Sequence, residues 1–140
     1  MSKLLRYIAV LGVLVSGAAL AQSPSSGLGQ SWPNAPDQSS SARYHVYVFV
    51  KDGVRFIQVN DAAGNVRGAV AAAGGQFLTL PVGSATQVVT QDPTTVRPTS
   101  GERIYQDDQV RITAQPQKNG TLLLQAASAC DPVDCTTHAQ

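Results

Sequence analysis

The sequence predicts an all-β domain, a small antiparallel sandwich or barrel of about seven to eight short strands built from hairpins, following a cleaved signal peptide and a disordered linker. Three observations carry this expectation. Runs dense in β-branched and aromatic residues recur at short intervals from Tyr44 onward. Turn pairs containing glycine punctuate them at Asp52-Gly53, Gly74-Gly75 and Asn119-Gly120. The stretch most inviting to a helix, Val66 to Ala73, contains Gly68, lacks a capping signature and is shorter than a usual helix.

The chain has 140 residues, and its first 21 read as an export signal. Lys3 and Arg6 supply a basic start, Ile8 to Leu20 an apolar run, and Ala19-Leu20-Ala21 a small-x-small site before Gln22. A membrane anchor normally needs about 18 to 20 consecutive apolar residues, and this run is shorter and interrupted by Gly12, Ser16 and Gly17. Cleavage after residue 21 therefore sets the expectation: a soluble bacterial protein, periplasmic or secreted, with no stable membrane insertion once the signal is gone. Residues 22–42 are rich in Ser, Pro, Gly and Gln with one charge, Asp37, and read as a flexible linker. Trp32 stands out in it as a hook for a partner or for the protein's own domain.

The domain proper is expected over 43–129. Tyr44 to Val50 forms a first strand, Asp52-Gly53 a two-residue turn that needs positive φ at both positions, and Val54 to Asn60 the return strand. This turn sets Lys51 opposite Val54, Phe49 opposite Phe56, Tyr47 opposite Gln58 and His45 opposite Asn60. Val46, Val48, Ile57 and Val59 then share an aliphatic face suited to a core. His45, Tyr47, Phe49, Phe56, Gln58 and Asn60 share the other, which is aromatic near the turn and polar at the far end. That second face is either a binding surface or a second core layer.

The remaining elements follow in the same way. Asp61 to Asn65 is a turn cluster, Val66 to Ala73 a third strand, Gly74-Gly75 a turn, and Gln76 to Leu80 a fourth strand. Ser84 to Thr90 reads as a fifth strand with the alternation of an edge, and Gln91 to Gly101, with Pro93 and Pro98, as a long crossing loop. Arg103 to Tyr105 and Val110 to Ala114 flank a turn at 106–109 where Asp107 and Asp108 are expected to be solvated, and Asn119-Gly120 leads into Leu122 to Leu124. Asn119-Gly120-Thr121 also matches a glycosylation acceptor, but a hairpin turn already explains it.

Residues 130–140 form a C-terminal tail. Cys130 and Cys135 are expected to be a disulfide there, since export places them in an oxidising compartment. Closing a loop of about six residues contributes about 2 kcal/mol, enough to pin the tail and not to create the fold. Their Cys-x4-Cys spacing departs from the redox Cys-x-x-Cys pattern.

Function is bounded mainly by exclusion. Removing Lys3 and Arg6 from the ten basic residues leaves eight against nine acidic ones, and those eight are scattered singly. A nucleic-acid footprint needs them clustered, so nucleic acid is not an expected partner. No Gly-x-Ser-x-Gly elbow, phosphate loop or cofactor fingerprint occurs, and Glu102 is the only glutamate. No catalytic residue, cofactor or metal is assigned. The reading is a non-catalytic binding or envelope-interaction module, whose partner is an envelope or extracellular protein, a peptide or a glycan. The alternative is a metal-handling or thiol-redox periplasmic protein using Cys130, Cys135, His138 and His45.

Overall fold

The computed structural model describes residues 25–83, 86–90 and 101–129. The expected signal peptide, most of the crossing loop, and the tail with Cys130, Cys135 and His138 lie outside the described residues. Eight strands follow in chain order: β1 (Tyr44–Lys51), β2 (Val54–Asp61), β3 (Val66–Ala73), β4 (Gln76–Leu80), β5 (Thr86–Thr90), β6 (Glu102–Gln106), β7 (Val110–Pro116) and β8 (Leu122–Ser128). The protein is all-β. The first four strands form an antiparallel meander in the order β1-β2-β3-β4, and the rest form a second sheet in the order β5-β8-β7-β6.

The first hairpin has the register its turn dictates, from Lys51 opposite Val54 to His45 opposite Asn60. Asp52 sits at φ 52° and Gly53 at φ 77°, both in the left-handed region that a two-residue turn of the primed kind requires. Val66–Ala73 is a strand despite its alanines, because it is held on both sides by β2 and β4. Tertiary pairing overrides helix propensity here.

The second sheet corrects one expectation. It is not antiparallel throughout: β5 pairs parallel to β8, with Thr86 opposite Leu122 and Thr90 opposite Ala126. A parallel neighbour cannot be reached by a tight turn, so no hairpin signal in the sequence announces this pairing.

Both sheets contribute to one core. Val46, Ile57, Val59, Val70 and Ala72 come from the first, and Ile104, Tyr105, Val110, Ile112, Ala114, Leu122, Leu124 and Ala126 from the second. The aliphatic face expected of the first hairpin is therefore a core face, with Val48 and Phe77 packed at its margin. Fully burying one such Val, Leu or Ile side chain contributes about 1.5–3 kcal/mol. A bulge in β6 between Arg103 and Tyr105 leaves Ile104 without a ladder partner, and it turns two consecutive side chains, Ile104 and Tyr105, into the core.

At one end of the core, Arg55 of β2 crosses to the other sheet. Its guanidinium pairs with Asp107, and lies 3.5 Å from Asp108. The Tyr105 hydroxyl donates to the same Asp107 carboxylate at 2.7 Å, and the N–H groups of Gln109 and Val110 donate to its other oxygen at 2.8 and 2.7 Å. Asp107 is thus not a solvated turn residue as expected; it is the shared acceptor of a contact between the sheets. Burial opposes its charge, but the Tyr105 hydroxyl, the two N–H groups and Arg55 outweigh that and hold its pKa below the usual carboxylate range. Burial and then the Asp107 carboxylate push Tyr105 upward.

Candidate functional site

The outer face of the first sheet carries the residues singled out above, and it is not open. Gln58 and Asn60 have no exposed surface, and Tyr47 and Phe49 are 5% and 6% exposed. None of the four belongs to the core between the sheets. The cover over Gln58 and Asn60 comes from the chain itself, within the stretch 25–42 expected to be part of a flexible linker: residues 29–31 bond to the two amides, Trp32 meets His45, and residues 37–40 follow the edge of β1.

The physical reason is hydrogen bonding. Two side-chain amides buried without partners would each cost about 1–3 kcal/mol, and a polar, glycine-bearing segment supplies those partners from its main chain. The Gly29 N–H donates to Gln58 Oε1 at 2.6 Å, and Gln58 Nε2 donates to the Gln30 carbonyl at 2.8 Å. Asn60 Nδ2 donates to the Ser31 carbonyl at 2.6 Å and to that of Gly64 at 3.2 Å, while Gln58 Nε2 also reaches Asn60 Oδ1 at 2.8 Å. Low hydrophobicity, which argued for mobility, is what makes the segment a fit for an amide-lined face.

Downstream, the segment runs along the edge of β1 and reaches the second sheet. Asp37 forms an antiparallel bridge with Tyr47, and Gln38 N–H donates to the Val46 carbonyl at 2.8 Å. Ser40 N–H then donates to the Ile104 carbonyl at 2.8 Å, at the bulge of β6. The Arg43 guanidinium pairs with Glu102. These contacts join the edge strands of the two sheets.

Where the segment passes the polar end of the face, four side chains meet. His45 Nδ1 lies 2.7 Å from Asp37 Oδ2, and the other Asp37 oxygen accepts the N–H groups of Val46 at 2.9 Å and Ser39 at 3.0 Å. Burial raises the Asp37 pKa, but the His45 hydrogen bond and the two N–H groups outweigh it and hold the carboxyl below its usual range. Burial, followed by the charge of Asp37, raises Tyr47. The Tyr47 ring stacks on His45 with centroids 6.3 Å apart, and Trp32 meets His45 edge-on at 5.3 Å.

Trp32 also lies on Gly64, where a Cβ would stand 2.6 Å from the indole. Gly64 has φ 86°, so a side chain there would be strained as well as obstructed. Despite these two contacts Trp32 is 61% exposed. The indole is held in place and presented to solvent.

Of the six expected face residues, the structure brings His45 and Tyr47 together with Trp32, and Gln58 and Asn60 into one hydrogen-bonded pair. Phe49 and Phe56 face each other across the hairpin, Phe56 being half-buried. Asp37, Gly29 and Ser31 escaped the sequence reading. Two uncharged amides at alternate positions on the aromatic face, Gln58 and Asn60, were the available signal that a main-chain partner lies opposite. Among the described residues no three His, Cys, Asp or Glu side chains gather where they could hold a metal ion, and His45 has Asp37 as its partner. Comparison with protein-family models, curated proteins and solved structures finds no match to this chain.

Proposed function

We propose that this chain is an exported, soluble, non-catalytic binding or envelope-interaction module, a sandwich of the two sheets that reaches the bacterial periplasm or the exterior after loss of residues 1–21. In this reading Cys130 and Cys135 close the tail as a disulfide. The partner is an envelope or extracellular protein, a peptide or a glycan. One observation supports it above the others: Trp32 keeps 61% of its surface exposed although His45 and Gly64 hold its position. A large amphipathic ring that is already ordered loses little conformational freedom on binding, which is why such residues dominate contact energies.

In the closed chain the contact surface therefore centres on Trp32 and the His45 rim. Affinity capture from an envelope extract, using wild-type protein and Trp32→Ala side by side, tests this. The expected result is a partner held reproducibly by the wild type and lost by a variant that melts at the same temperature. Equal capture by both would remove Trp32 from the contact, and recovery of enzymatic turnover from the purified mature protein would overturn the non-catalytic assignment.

A further inference from the structure

We infer that Gln58 and Asn60 form a peptide site that reads main chain, occupied in cis by residues 29–31 and open to exchange with an uncharged, glycine-bearing segment of a partner protein. This deepens the binding-module reading and rests on it: Trp32 belongs to the segment that exchanges, so the surface it presents in the closed chain and the opened amide site are two states of one contact region.

Every bond from the two amides to the N-terminal segment ends on main chain. Gln58 accepts from the Gly29 N–H and donates to the Gln30 carbonyl, and Asn60 donates to the carbonyls of Ser31 at 2.6 Å and Gln30 at 3.4 Å. No side chain of residues 29–31 is bonded by either amide, so the site selects backbone shape rather than side-chain identity. The shape it selects includes a glycine, because Gly29 sits at φ 89°. Charge is matched too: residues 25–36 carry none, and the face offers Tyr47, Phe49, Gln58 and Asn60.

The reading half of the site has bonds of its own that do not involve the occupant. Gln58 Nε2 bonds Asn60 Oδ1, and Asn60 Nδ2 bonds the Gly64 carbonyl, so both amides are aimed by contacts within the first sheet. The segment, in turn, is anchored by contacts that do not involve the amides: Asp37 on Val46 and His45, Gln38 on Val46, and Ser40 on Ile104. In this inference residues 25–36 leave the face, giving up the Trp32 contacts with His45 and Gly64 as well as the amide bonds, while 37–43 stay attached. Their departure would bare two amides that now have no exposed surface, and a peptide of the same chemistry restores the same bonds.

The test uses the full mature chain with Gly29→Pro, which removes the donated N–H and forbids the left-handed φ. The probe is a fluorescently labelled synthetic peptide of residues 25–36. The cis segment competes at a high effective concentration in the wild type, so the variant is expected to take up the peptide at least about tenfold more tightly. Adding Gln58→Leu to the variant is expected to abolish that uptake. In the unlabelled wild type, hydrogen exchange at the Gly29 amide is expected to be at least about tenfold faster than at Ile112 in β7, reporting local release. A folded Gly29→Pro chain with no saturable uptake overturns the inference. So does loss of cooperative unfolding in that variant, or Gly29 exchange as slow as Ile112, since either makes the segment an integral part of the fold. Concentration-dependent dimerisation that blocks peptide uptake assigns the site to a second copy and overturns the partner assignment.

Discussion

Alternate residues of β2 are buried equally but by different chemistry. Ile57 and Val59 point into the core between the sheets, and Gln58 and Asn60 point outward under residues 29–31, yet all four are at most 2% exposed. Apolar burial is non-directional, so Ile57 and Val59 ask only for volume and company. The amides ask for particular donors and acceptors at particular places. Low exposure is therefore the same number with two meanings: one side of the strand makes the fold, and the other specifies what lies on it.

Four measurements break or sharpen that contrast, starting with the largest effect. Ile57→Ala opens a cavity in the shared core and is expected to destabilise by about 2–5 kcal/mol in urea unfolding. It should leave the order of hydrogen exchange unchanged, with Gly29 still the faster site. A smaller cost, about 1–3 kcal/mol, is expected for Asn60→Ala, which strands the Ser31 and Gly64 carbonyls and one Gln58 donor. Its signature differs, since protection at Gly29 should fall far more than protection at Ile112. Equal loss at both amides would show that the outer face is as cooperative as the core.

Asp107→Asn tests the contact between the sheets. It removes the charge facing Arg55 while keeping an acceptor for the Tyr105 hydroxyl, and about 1–2 kcal/mol is expected from a partly buried pair that hydrogen bonds also support. The Tyr105 titration, raised by burial and by Asp107, should move back toward its ordinary value of 10.0. An unshifted Tyr105 would mean burial alone sets it.

The smallest effect concerns acid. The folded-state pKa of both Asp37 and Asp107 lies below the ordinary value of 3.8, so the unfolded chain binds these protons first as pH falls. Their contribution is present in full above the unfolded range and is lost as pH drops below about 4 through the depressed folded values. Urea midpoints should be flat from neutral pH to about 5 and fall below that. Asp37→Asn should flatten only part of the decline, because its carboxylate is 40% exposed and solvent screens it.

The first hairpin was legible because its information is local. Asp52-Gly53 specifies a turn, the turn specifies a register, and period-two alternation sorts Val46, Val48, Ile57 and Val59 from Tyr47, Phe49, Gln58 and Asn60. β7 and β8 were legible in part, through Asn119-Gly120, although the sequence placed only Leu122 to Leu124 in a strand that runs to Ser128. The β5 to β8 pairing was not, since it joins residues far apart in sequence with no turn between them. Neither was the bulge at Ile104, which no turn residue or glycine in the strand marks. The segment before β1 was read as mobile from composition, and composition does not reveal that two amides elsewhere in the chain need main-chain partners.

By itself, then, the sequence determined the strand content, the turns at Asp52-Gly53 and Gly74-Gly75, and the two faces of the first hairpin, because φ preferences and side-chain alternation act between near neighbours. Only the tertiary structure decided that the aromatic and amide face is not a second core layer, that Asp107 is shared by Arg55 and Tyr105, and that residues 29–31 close over Gln58 and Asn60. Those outcomes depend on which surfaces compete for burial and for hydrogen bonds once the whole chain has collapsed, and no short stretch of residues contains that competition.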